Sequence, residues 1–194
     1  MQFSVTLLLD ETGKILKKSP MLIAKYEQGN SDFPQAVFQW LSEAEQVLNK
    51  NGLAQAAAIS AIKGKLLAAQ NGIMETSDIM LVRPPQSQRK AHMAVSALYF
   101  SRGRDLLGNL YEAMSQKRDE SLKYIRQMII LMEQQDAIPS LDSAGRSQAL
   151  TRLFASMCSN PGSSAAARHV LTLVNYADAL RLIDETLTEW MLVS

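Results

Sequence analysis

Histidine and cysteine are nearly missing from this sequence, with two His and one Cys in 194 residues. A lone cysteine, Cys158, excludes an internal disulfide and leaves no thiolate cluster for structural zinc or iron–sulfur. A reducing compartment fits that usage, and the chain is read as cytoplasmic. Long apolar runs are absent too. Charged or amide side chains interrupt every hydrophobic stretch well short of the roughly 20 residues a membrane helix needs, so no membrane partner is expected. The apolar run over 3–9 has no basic residue before it and is closed by Asp10-Glu11, so it is not read as a secretory signal. Net charge is equally scarce. Twenty basic against nineteen acidic side chains give +1, too little for a long-range field that gathers polyanions.

What is present is an ordinary globular composition, 47% hydrophobic and 20% charged. A chain of this length buries roughly 70% of its unfolded surface and needs no metal or disulfide to fold. It is read as one helical domain over 1–194, with an N-terminal half at 1–72, a Pro-containing linker at 73–87 and a C-terminal bundle at 88–194.

Helical punctuation dominates from Ser19 onward. Ser19-Pro20 supplies a cap and a first-turn proline, and Gly29-Asn30 closes that short helix. Val37, Phe38, Leu41, Ala44, Val47 and Leu48 recur at three-to-four spacing before Asn51-Gly52. Another stripe runs through Ile59, Ile62, Leu66 and Leu67 to Asn71-Gly72, and Pro84-Pro85 then forbids a continuous helix. A long helix is expected at about 87–116, and a further one opens at Asp119-Glu120, where carboxylates favour a first turn. A shorter helix contains Leu150 to Met157, 159–162 is a turn, and a last helix runs from Ser163-Ser164 to about Met191. Trp40 and Trp190 continue apolar stripes and are expected in the core. The expected fold class is all-α, an antiparallel bundle of about five to seven helices. Residues 3–18 alternate at Phe3, Val5, Leu7 and Leu9, and Gly13 weakens a helix, so a small N-terminal hairpin or extended arm is favoured there.

Little in the sequence carries chemistry. His92 and His169 fall on different predicted helices with no ligand partner at helical spacing, so no metal or cofactor is assigned. His92 reads as a partly buried structural histidine and His169 as a surface residue. Ser60 and Lys63 have the Ser-x-x-Lys spacing of an amine-activated nucleophile, but its companion motifs are absent. Asp178, Arg181 and Glu185 share one helix at three-to-four spacing, as solvent-facing ion pairs do, and Asp184 and Glu189 make that helix acidic.

Charge is the one uneven feature. Arg83, Arg89, Lys90, Arg102 and Arg104 follow one another without an acid between them. Arg89, Lys90 and Arg104 are placed outward, where phosphates or an acidic partner could meet them, and Arg102 falls within the apolar arc. Intramolecular pairing with the acidic last helix is the simplest account of the asymmetry.

No family pattern is met in full. The Arg and His of HEPN ribonucleases stand farther apart than Arg89 and His92 or Arg168 and His169. Residues 105–190, with paired amphipathic helices and a closing Leu187-Thr188-Glu189-Trp190, resemble flagellin-export chaperones, but without a specific motif, so no membership follows. The function read from the sequence is a non-catalytic helical interaction protein (adaptor, chaperone or assembly subunit) whose partner is another protein or a second copy. The alternatives are a nucleic-acid-binding accessory subunit using 83–104 and an enzyme of unrecognised type.

Overall fold

The computed structural model describes residues 3–71, 88–139 and 145–193. Among these residues are eight helices and no strand, so the chain is an all-α, multi-helix protein. The helices are α1 (Val5–Leu16), α2 (Ser19–Glu27), α3 (Phe33–Lys50), α4 (Gln55–Gln70), α5 (Gln88–Gln134), α6 (Arg146–Ser159), α7 (Ser164–Leu173) and α8 (Tyr176–Val193). The chain divides into two compact units, one of Leu8–Glu112 and one that joins Met1–Leu7 to Ala113–Ser194. Residues 73–87, read as the linker, lie outside the described residues.

The N-terminal segment differs from its sequence reading. Residues 5–16 form neither hairpin nor arm but a helix. Val5, Leu8, Leu9, Thr12 and Ile15 are buried while Leu7 is exposed, which is helical rather than alternating spacing. Capping from a distant part of the chain selects the helix. Ser4 Oγ accepts the Leu7 amide at 3.2 Å as an N-cap. The Asp178 carboxylate, 2% exposed, accepts the Val5 amide at 2.7 Å and the Ser4 and Thr6 hydroxyls at 2.6 Å each. The expected cost of Gly13 is also offset by packing, since a Cβ there would sit 3.3 Å from the Tyr111 ring.

In the unit of Leu8–Glu112, α3 packs on both α2 and α4. Chain reversals occur at left-handed glycines, as the Asn-Gly and Gly-Asn pairs predict. Gly29 (φ 63°) lets the Asn30 amide reach the Lys25 carbonyl, and Gly52 (φ 66°) lets Leu53 reach Leu48. α2 itself starts without a side-chain cap. Ser19 is its first residue instead of its cap, and Lys18 holds the cap position. The core gathers Leu8, Leu22, Phe33, Trp40, Leu41, Ile59 and Leu107, with Phe100 edge-on to Trp40 at 5.2 Å between ring centres. Trp40 is 2% exposed, and its indole N–H donates to the Ile15 carbonyl at 2.9 Å, satisfying an end-of-helix acceptor. Gly103 brings α5 against this cluster, for a Cβ there would lie 2.6 Å from Leu41 Cδ2 and 3.2 Å from Trp40 Cζ3.

In the other unit, Ile125, Met128, Ile129 and Met132 of α5 are buried, as are Leu153, Phe154 and Met157 of α6 and Leu182, Ile183 and Leu187 of α8. The helix pairs α6 with α7, α6 with α8 and α7 with α8 are in contact. Two expected helices are one here: Asp119-Glu120 do not start a helix but sit inside the 47-residue α5, because the polar stretch 115–120 holds neither Gly nor Pro to stop it. One expected helix is two, broken where Asn175 Oδ1 accepts the Asp178 amide and so starts α8 afresh. Together with α1 these changes account for the eight helices among the described residues. Trp40 takes its core place, whereas Trp190 is half-buried.

Two stability measurements check these contacts. Asp178→Ala strands three donors and is expected to cost about 3 kcal/mol in urea unfolding, and a loss below about 1 kcal/mol would contradict the role given to this carboxylate. Gly103→Ala should cost about 1–3 kcal/mol by overpacking. Gly108→Ala, in the same helix with nothing within 4 Å of its Cβ, should gain up to about 1 kcal/mol. Equal effects at the two glycines would show that the close approach at Gly103 is not decisive.

Candidate functional site

The basic residues singled out from the sequence are dispersed. Arg83 lies outside the described residues. Arg89 and Lys90 are exposed on the first turns of α5, and Arg89 Nη2 donates to the Gly29 carbonyl at 3.1 Å, closing the end of α2. Arg102 is half-buried with its guanidinium 5.5 Å from the Tyr99 ring centre, which answers how a cation fits the apolar arc. Arg104 pairs with Asp105 at 3.7 Å. Arg89 and Arg104 are about 22 Å apart along one helix, by a rise of about 1.5 Å per residue, so they do not converge on one point.

The acids of α8 draw their partners from elsewhere than 83–104. Arg146 meets Asp184 at 2.6 Å, Arg118 meets Glu185 at 3.1 Å, and Arg126 meets Glu189 at 3.4 Å. Asp178 is no solvent-facing ion-pair member at all, being buried against 4–6. The last helix therefore pairs with arginines of its own unit.

Other candidates find structural explanations. Ser60 and Lys63 both hydrogen-bond the Glu45 carboxylate, and Lys63 also lies over the Phe38 ring at 5.2 Å. An ammonium held this way is no base for a serine. His169 Nε2 meets Glu120 Oε1 at 2.8 Å and stacks edge-on to Tyr124. His92 lines an open groove of about 490 Å³ with Ser31, Pro34, Arg89 and Met93. Cys158 is exposed, yet partial desolvation pushes its thiol above the usual range, opposite to the shift an activated nucleophile needs. Among the described residues no three His, Cys, Asp or Glu side chains come together to hold a metal, and no helix is long and apolar enough to cross a membrane.

The surface with the strongest claim was not legible as a site in the sequence. α2 exposes Met21 at 56%, Tyr26 at 43% and Ile23 at 36%, and buries Leu22. Met21, Leu22 and Ile23 are consecutive, so a helix cannot turn all three inward. Beside them runs a groove of about 420 Å³ between α2 and α3. Lys18, Met21, Leu22 and Lys25 line one wall, and Ala36, Gln39, Trp40 and Glu43 line the other. Lys18 and Glu43 pair across it. A usable signal existed: residues 12–26 contain four lysines and no acid around an apolar triplet.

No protein family, curated protein or solved structure matches the chain.

The electrostatics of α3 and α4 generate a pH test. The hydrogen bond from Lys63, then that from Ser60, hold the Glu45 carboxyl below its ordinary value. Because folding lowers this value, the stabilisation it brings is complete above the unfolded value and is lost as pH falls through the folded one. Lys63→Met should raise the Glu45 titration toward the ordinary carboxylate range and reduce the acid-side loss of stability. An unchanged Glu45 titration, followed by NMR, would contradict this account.

Proposed function

We propose that the chain is a non-catalytic helical interaction protein, an adaptor, chaperone or assembly subunit, that holds another protein on the face of α2. One observation carries the reading: exposed Met21 lines a groove with buried Leu22 and Trp40 in its walls, while Ile23 and Tyr26 are exposed on the other side of Leu22. Single exposed apolar side chains are ordinary on protein surfaces, whereas one that lines a concavity with further apolar side chains in its walls supports a contact site. Met suits such a surface because its unbranched thioether repacks around varied shapes. The rival nucleic-acid reading has less support, since Arg89 and Arg104 are spread along α5 and engaged with Gly29 and Asp105.

The double variant Met21→Glu with Ile23→Glu changes only exposed positions and should leave helicity and melting temperature in place. Affinity capture from the native cell with wild type is expected to retain a partner that the double variant loses at least tenfold, about 1.4 kcal/mol. Retention of the same partners by both forms would sink the reading. So would submicromolar, salt-sensitive binding of an oligonucleotide that disappears when Arg89, Lys90 and Arg104 are changed together to Ala.

A further inference from the structure

We infer that the groove between α2 and α3 receives an amphipathic helix whose apolar stripe is flanked by carboxylates; this rests on the interaction reading above and names its partner. The shape argument comes from the walls. Lys18, Met21, Leu22 and Lys25 stand at i, i+3, i+4 and i+7, and so do Ala36, Gln39, Trp40 and Glu43. Each wall is thus one continuous helical row two turns long. Two such rows side by side make the kind of trough into which the side-chain ridge of a third helix fits. A volume of about 420 Å³ between them admits several apolar side chains, with Leu22 and Trp40 as their contacts.

Charge selects among helices. Lys18 and Lys25 stand at the two ends of the α2 row, about 10 Å apart at about 1.5 Å per residue. Glu43 is taken by Lys18, while among the described residues Lys25 has no ion-pair partner. Lys14 and Lys17, both exposed, precede the groove, and the nearest acid before them, Glu11, is bound by Lys50. The first acid after them, Glu27, lies at the far end of α2. An occupant with an acid beside its apolar stripe meets Lys25, and one with a lysine there is repelled. The concavity and the paired rows favour a helix over a flat lipid surface, which would leave the trough unfilled.

The test is a selection from a displayed library of amphipathic helical peptides about 18 residues long, carried out on the full chain, with affinities then read from Trp40 emission in a Trp190→Phe background. The expected result is a consensus with Asp or Glu beside the apolar stripe. Binding should fall at least tenfold in Met21→Glu, fall about tenfold in Lys25→Glu, and recover in Lys25→Glu when the facing peptide acid becomes Lys. Selected peptides that depend on Met21 but carry neutral or basic flanks would overturn this inference and leave the interaction reading standing. Peptides indifferent to Met21→Glu would overturn both. Vesicles of phosphatidylcholine with about 30% phosphatidylserine serve as the lipid arm, and binding to them that is lost in both Met21→Glu and Lys25→Glu would overturn the helical occupant in favour of an anionic membrane.

Discussion

A carboxylate removed from water is costly unless donors surround it, and Asp178 is satisfied by a segment more than 170 residues away in sequence. Its two oxygens take the first amide of α1 and the hydroxyls of Ser4 and Thr6. Its own amide is held by Asn175, so the same residue helps start α8. The carboxylate therefore stands near the N-terminal ends of two helices, where both dipoles favour negative charge. Asn175 adds a bond from its side-chain amide to the Phe3 carbonyl. These contacts fix where α1 begins, and within the Leu8–Glu112 unit the Ile15 carbonyl near its other end accepts the Trp40 indole N–H.

This explains which parts of the fold could be read from sequence. Helix ends governed by local chemistry were legible: Gly29, Gly52 and the turn around Asn160 stop their helices by backbone geometry that a few adjacent residues specify. The core stripes of α3 and α6 were legible for the same reason, since three-to-four spacing is a local property. α1 was not, because its alternating residues suit a strand and its decisive partner is Asp178. The spacing of Asp178, Arg181 and Glu185 invited a surface reading, and nothing within α8 could have revealed that the first of them turns inward. The seam inside α5 misled in the opposite direction, as Asp119 and Glu120 resemble a start where the backbone simply continues.

The candidate site is partly written in the sequence, where the arginines farther along are the more conspicuous charge. The lysine-bearing, acid-free stretch at 12–26 surrounds three consecutive apolar residues, which no single helix face can hide. What sequence could not supply is the second wall. Ala36, Gln39, Trp40 and Glu43 look like ordinary members of α3 until α2 is laid beside them. The arginines and acids farther along the chain, conspicuous by count, largely neutralise one another within their own unit through Arg118, Arg126 and Arg146.

The construction of α2 also bears on its kinetics. It has nine residues, no side-chain cap at its start, and a buried Ser19 hydroxyl with no hydrogen-bond partner. A helix that short is marginal by itself, and an orphaned buried hydroxyl subtracts from what packing adds. In hydrogen-exchange language, its amides are expected to open by small local fluctuations and not only by global unfolding. The α2 wall of the groove is thus the shorter and less anchored of the two, nine residues against the 18 of α3.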